Sequence, residues 1–225
     1  MITIHHLNSS RSHRILWLLE ELEVPYEIQT YQRGADLRAP PELKKIHPLG
    51  KSPVVTDSDA GVTMAESGAI LEYLLDRFDP ASRLRPPPST AERWQYNYWL
   101  HYAEGSLMPQ LFLALIFELL PKQPMPFFIK PIALKIASAV KQKTYGPELK
   151  THFRFIEQHL SRSTYFAGTT FTAADIQMSY PLEAAMDRVE GLKSAPALQS
   201  YIQRLRARPS YQRAVARGGP LELPV

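Results

Sequence analysis

No cysteine occurs in this chain of 225 residues. That absence excludes disulfides, thiolate metal sites and a cysteine nucleophile together, so sulfur chemistry here would need a thiol carried in by a ligand. Glycine is sparse, at 10 residues, and nowhere spaced as a phosphate-cradling loop. No internal repeat is visible, and no group of His, Asp and Glu has metal-ligand spacing. His5 and His6 are adjacent, so on a strand they face opposite sides and cannot share an ion. No metal is expected, and both histidines are read as packing residues. The apolar run from Leu111 to Leu120 falls short of the roughly 20 residues that span a bilayer. The opening MITIHHLNSS is too polar and short for a signal peptide, which makes the cytoplasm the expected compartment. The basic excess is only +4. Lys and Arg are dispersed, apart from Arg204, Arg206, Arg208, Arg213 and Arg217 near the C-terminus. A nucleic-acid surface would be denser and interleaved with aromatics, so no nucleic-acid partner is expected.

What is present reads as a globular chain long enough for one large or two small domains. Residues 2–7 alternate as a strand with one buried face. Asn8-Ser9-Ser10-Arg11-Ser12 supplies helix-capping residues ahead of the stripe Ile15, Leu18, Leu19 and Leu22. Val24-Pro25 ends that helix, a second strand covers 26–31, and a short helical piece covers 41–46.

The stretch from His47 to Ser67, HPLGKSPVVTDSDAGVTMAES, organises the rest. A turn at Pro48-Leu49-Gly50 runs through Lys51-Ser52-Pro53 into Val54-Val55. Pro53 cannot donate to a ladder and must sit at an edge or bend. A cis Ser52-Pro53 bond would turn the next residue's N–H and C=O toward a ligand. Ser67 beside Gly68 places a hydroxyl and amide donors at a helix N-terminus, where a carboxylate is stabilised. Glu66 can take an ammonium. An extended backbone, a carboxylate and an ammonium together describe a small peptide.

The segment PLGKSPVV…MAESGAILEYL resembles the glutathione-binding half of cytosolic glutathione transferases of the serine type. The resemblance extends over most of the chain, through Ser10 and Arg14, the 51–67 block, the linker after Asp79-Pro80 and the Thr172–Asp175 capping box. The run His101-Tyr102-Ala103-Glu104-Gly105-Ser106 is similar to a bacterial and fungal subgroup with an HYAEGS-type helix. The resemblance implies an α/β N-terminal thioredoxin-like domain at 1–80, a linker at 81–88 and an all-α helical bundle at 89–225. It implies glutathione as co-substrate, a homodimer and a small hydrophobic electrophile. Ser10 would stabilise the glutathione thiolate, with Ser9 as the alternative. A hydroxyl donor and a helix N-terminus both lower a thiol pKa. Lys51, Ser52, Pro53, Val54, Glu66 and Ser67 would hold the tripeptide, with Arg38 a second candidate for its glycine carboxylate. Tyr98, Tyr102, Ser106 and Leu107 would form the electrophile pocket, although core or dimer packing explains the aromatics equally. Glu104 reads as a satisfied interface carboxylate.

Two departures stand out: His47, where the family often has Asn, and a proline-broken insert from Pro121 to Pro131 around Phe127-Phe128-Ile129. The insert is expected to cover the mouth of the cleft, although with Lys122, Lys130, Lys135, Lys141 and Lys143 a membrane-surface contact through 121–143 is a minority reading. The tail from 218 on is expected to be loose. Beside conjugation stand glutathione-dependent peroxidase or disulfide-reductase chemistry on glutathione's own sulfur, and a non-enzymatic binding or interaction protein.

Overall fold

The computed structural model describes residues 1–34, 36–186, 189 and 191–221. Strands β1 (Ile2–Leu7), β2 (Tyr26–Tyr31), β3 (Val54–Asp57) and β4 (Val62–Ala65) form one mixed sheet in the order β2–β1–β3–β4. β1 and β2 run parallel across the helix α1 (Ser12–Leu22), and β3 pairs antiparallel with both β1 and β4. A short helix α2 (Leu43–Ile46) precedes β3, and α3 (Ser67–Phe78) follows β4. The rest is helical: α4 (Ala91–Tyr102), α5 (Met108–Leu119), α6 (Lys130–Val140), α7 (Gly146–Leu160), α8 (Ala173–Met186), α9 (Pro196–Arg206) and α10 (Pro209–Gly218).

β1 is buried on both faces rather than the expected one. The Ile2, Ile4 and His6 face lies against α1, itself buried on almost every side because α3, α8 and α10 pack on it. On the other face His5 bonds Tyr31 Oη at 3.1 Å and Thr56 Oγ1 at 3.3 Å. Trp17 shows how the two halves share one core. It packs on Phe171 and Tyr211, with ring centroids 5.5 and 5.0 Å away. The C-terminal arginines close this arrangement. Arg208 meets Glu21 at 2.6 Å, and Arg213 and Arg217 meet Glu20 at 2.7 and 3.2 Å. Burial alone would raise both carboxyls, but hydrogen bonds from these arginines, from Tyr26 to Glu20 and from Ser210 to Glu21 hold both below the ordinary value. Arg208, Arg213 and Arg217 are thus spent on docking α10 against α1, while Arg206 pairs with Glu183 on α8 and Arg204 donates to the Thr164 carbonyl. Gly218 is not loose: its carbonyl accepts His6 Nε2 at 2.8 Å. Residues 222–225 of the tail lie outside the described residues.

A π-helical turn (Ala103–Leu107) joins α4 and α5, so that Ala91–Lys122 is one helix of 32 residues. Its most apolar 18-residue window has a mean hydropathy of 1.4, long and apolar enough to cross a membrane by length and composition. In the fold it is the spine of the helical half: Tyr96, Trp99, Ala103, Leu107 and Leu111 are buried in the core.

The capping sequence Thr172–Asp175 is present with added partners. Asp175 Oδ2 accepts Thr172 N–H at 2.8 Å and its hydroxyl at 3.1 Å, while Oδ1 accepts Phe166 N–H at 2.9 Å and Tyr201 O–H at 2.8 Å. The insert departs from expectation. After Pro126 the chain turns into α6, whose start is set by Pro131 in its first turn, and no insert residue lines the cleft described below.

Candidate active site

A cleft of about 230 Å³ lies where the sheet meets the helical half. Its floor is built by register. Val54 on β3 pairs with Ala65 on β4, so Pro53 and Glu66, one step beyond the ladder, lie side by side. The Ser52–Pro53 peptide is cis. Lys51 is delivered by the His47–Gly50 turn, closed by Gly50 N–H on the His47 carbonyl at 2.8 Å. Gly50 has φ +57°, and a Cβ there would approach Lys44 Cγ to 2.6 Å, so the turn needs glycine.

Glu66 adopts φ +70°, a backbone region that a residue with a Cβ enters only where its surroundings impose it. It sits at the break between β4 and α3, so its carboxylate and the first amides of α3 open onto the same cleft. Ser67 follows. Its Oγ accepts Arg14 Nη1 and Gln177 Nε2, each at 3.2 Å. With both lone pairs taken, the hydroxyl's own proton is left to donate to a ligand. Gln177 comes from α8 and Arg14 from α1, so both halves of the chain orient this one hydroxyl.

The opposite wall is an ion triad. Glu104 Oε1 lies 2.5 Å from Arg14 Nη1, and Arg11 Nε is 3.0 Å from both Glu104 oxygens. The Arg14 side chain is only 1% exposed, and its Nε and Nη2 meet no partner among the described residues. Burial lowers the Arg14 pKa against the pull of Glu104. Burial would raise Glu104, but Arg14 and Arg11 together hold it below the ordinary carboxylate value.

Ser10 sits beneath the cleft, 3% exposed, in a chain of hydroxyls. A carbonyl only accepts, so His6 Nε2 donates to Gly218. Burial lowers the His6 pKa, keeping the ring neutral, and its Nδ1 is then the acceptor for the Ser12 hydroxyl at 2.8 Å. Ser12 Oγ therefore accepts from Ser10 Oγ at 2.7 Å. Ser10 Oγ in turn accepts Ser12 N–H at 3.2 Å and lies 3.5 Å from Ser52 Oγ, which lines the cleft. Ser9, half-buried at φ +50°, forms the tip of the same turn, held by Arg33 through the Asn8 and Ser9 carbonyls.

Comparison with known proteins decides what this architecture is. The model of the glutathione S-transferase N-terminal domain matches residues 1–76, and that of the C-terminal domain matches residues 124–209. Glutathione S-transferase 1 of Saccharomyces cerevisiae is 39% identical over 94% of this chain and 92% of its own length. The chain belongs to the glutathione S-transferase family. Glutathione S-transferase 3 of Schizosaccharomyces pombe is 44% identical over 82% of this chain and 74% of its own. A glutathione S-transferase structure from Actinobacillus pleuropneumoniae matches with a TM-score of 0.83 at 33% identity, over 99% of this chain and 95% of that one.

In this transferase the cleft gathers Lys51, Ser52, Pro53, Glu66 and Ser67 from the sequence-based set. Val54 is buried beneath it. Arg38 is not brought in: it is largely exposed and turned to Asp36 at 3.8 Å. The expected electrophile residues also lie elsewhere. Tyr102 and Leu107 are core, with Tyr102 bonded to His152; Tyr98 stacks on Tyr102 at 5.6 Å and reaches Phe155 on α7; Ser106 does not line the cleft. The reason is helical phase. Even with the slower advance of the π turn, Tyr98, Tyr102 and Ser106 (six and two before Glu104, and two after it) point away from the side that Glu104 presents, while Leu107, nearer in phase, is buried in the core. Arg11, His47 and Glu104 line the cleft and were not among the expected ligand contacts. The available signal was pairing: Arg11 and Arg14 share a helix face, and Glu104 is the one carboxylate between Glu92 and Glu118 on the facing helix.

Proposed function

We propose that glutathione lies extended along the mouth of β3 and β4, with its γ-glutamyl end at Glu66 and Ser67 and its glycine carboxylate toward Lys51. The Ser67 hydroxyl carries this reading. Two donors from different halves of the chain saturate it as an acceptor, which leaves it a donor aimed at a carboxylate beside the N-terminus of α3. The ammonium of the same residue is then within the field of Glu66. His47 in place of the common Asn leaves the Lys51 turn intact.

The sulfur then sits ahead of α1, in reach of Ser10. A thiolate draws the Ser10 hydroxyl proton from Ser12, because a charge-assisted bond outweighs the neutral one it replaces. The helix N-terminus and Arg11 add positive potential. Together they depress the thiol pKa from about 8.5 toward neutrality. The thiolate attacks a small hydrophobic electrophile at carbon, forming the thioether as the leaving group departs; the protein supplies ionisation and proximity and stays unmodified. Peroxide or disulfide turnover would run on the same sulfur. The enzyme is read as a cytoplasmic homodimer whose partner covers the exposed Trp94 and Tyr98 on α4.

Two substitutions test the placement. Lys51→Ala should raise the KM for glutathione about tenfold with kcat nearly unchanged, the signature of uniform binding. Ser67→Ala should raise it further, by 10- to 100-fold, roughly the worth of one hydrogen bond to a charged group. Isothermal titration with S-hexylglutathione reads both without turnover. Unchanged affinity in both variants would put the tripeptide elsewhere. Wild-type binding with no conjugation of any aryl halide would leave a binding protein of the same fold.

A further inference from the structure

The helix α6 is folded inside out. It rests on the protein through small residues, with Ala133 buried and Ala137 and Val140 half-buried at i, i+4 and i+7. Its large apolar side chains face outward instead. Ile132 is 57% exposed, and with Ile129 and Ile136 it makes a stripe at i, i+3 and i+7. The turn entering the helix ends in Phe127 and Phe128, 86% and 63% exposed, their rings edge to face at 5.6 Å. Pro124, Pro126 and Pro131 stiffen this turn, so its tips are presented with little ordering left to do.

The charge around the stripe has one sign. Residues 119–147 contain no carboxylate. Lys122, Lys130, Lys135 and Lys143 are all exposed around the apolar tips. A contiguous apolar patch with such a rim marks an interaction surface. The rim also selects the partner. A second copy docking through this face about a two-fold axis would set lysine against lysine. An anionic lipid headgroup layer instead offers acyl depth to the phenylalanines and isoleucines and phosphate or carboxylate to every lysine.

We propose that the 127–136 edge is a peripheral docking surface for an anionic bilayer. Phe127, Phe128, Ile129 and Ile132 insert at headgroup depth, and the lysines lie along the headgroups. No helix crosses the membrane in this arrangement. The surface shares no residue with the glutathione cleft, so docking leaves the cleft's own contacts as they are.

Vesicle flotation of the full-length protein tests this. Binding should be strong on phosphatidylcholine containing phosphatidylserine, at least tenfold weaker on phosphatidylcholine alone, and lost as ionic strength rises. Lys130→Glu with Lys135→Glu should weaken partitioning at least tenfold, since each lysine near an anionic surface is worth about fivefold. Phe127→Ser with Phe128→Ser should do the same. Both variants change only exposed side chains and should keep wild-type circular dichroism and conjugation rates. Equal recovery with and without phosphatidylserine, or no recovery at all, would overturn the proposal. So would light scattering in which Phe127→Ser with Phe128→Ser reduces the wild-type assembly to a smaller one, which would assign the face to another copy of the chain.

Discussion

Glu104→Ala is expected to destabilise the protein by about 2–3 kcal/mol, less than a fully buried pair would cost, because Arg14 is buried while Glu104 is 34% exposed at the cleft. Among the described residues Arg14 has no other carboxylate within bonding distance, and its guanidinium is almost wholly buried. Without Glu104 the charge stays, because an arginine does not give up its proton in a protein. Arg11 is half-exposed and can turn to water; Arg14 cannot. The second consequence is functional. Arg14 Nη1 serves both Glu104 and Ser67, so a shift of the guanidinium moves the hydroxyl that anchors the ligand carboxylate. Urea unfolding at neutral pH should show the full loss for Glu104→Ala. Pairing Glu104→Leu with Arg14→Met should recover much of it while leaving glutathione affinity low, since a matched apolar pair removes the stranded charge but not the need for a Ser67 partner. A Glu104→Ala protein with wild-type stability would show that solvent reaches Arg14.

Asp175→Asn should also destabilise, by about 2–4 kcal/mol. All four groups on this carboxylate are donors, two backbone amides and two hydroxyls. An amide replaces one acceptor oxygen with a donor, so at least one buried N–H is left facing another. The pH dependence has a definite sign. Burial pushes the Asp175 carboxyl up to about 6, even though its four donors pull it down. The unfolded value is about 3.9. The folded protein therefore holds this proton more tightly, so the group's contribution is full below about pH 4 and is lost as pH rises through about 6. The amount is of order 3 kcal/mol, from about two pKa units. Asp175→Asn removes this titration. The difference in urea stability between wild type and variant should accordingly be larger at pH 4.5 than at pH 7. A difference independent of pH would mean that the carboxyl is ionised throughout.

The N-terminal half was legible because its signals are local. Strand alternation, the Val24-Pro25 stop and the His47–Gly50 turn each act within a few residues, and the ladder register then fixes where Pro53 and Glu66 meet. The capping box was legible for the same reason. The second wall of the cleft was not. Which face of the α4–α5 helix points inward depends on packing against α1 and on the π turn at Ala103–Leu107, and an aromatic stripe such as Tyr98 and Tyr102 reads the same on either face. The placement of Arg38 was illegible for a similar reason: a loop charge carries no direction, and here Arg38 lies 3.8 Å from Asp36. The anchoring of Gly218 comes from α10, whose partners lie some two hundred residues upstream. Pairing across the length of the chain leaves no periodic trace in either segment. The α6 helix was hidden by its outward apolar residues, which break the amphipathic pattern that sequence reading relies on.

Glutathione bound in this cleft should release its thiol proton to solvent, its thiolate held by the Ser10 hydroxyl and the start of α1. The most direct test is the ultraviolet thiolate absorbance of bound glutathione, titrated across pH for wild type, Ser10→Ala and Ser9→Ala. The wild-type midpoint should lie at least one pH unit below free glutathione, return upward in Ser10→Ala and change little in Ser9→Ala. A depressed midpoint that survives in Ser10→Ala and rises in Ser9→Ala would move the role to the neighbouring hydroxyl. Saturating glutathione with no depressed thiolate signal would mean that this cleft does not ionise the thiol.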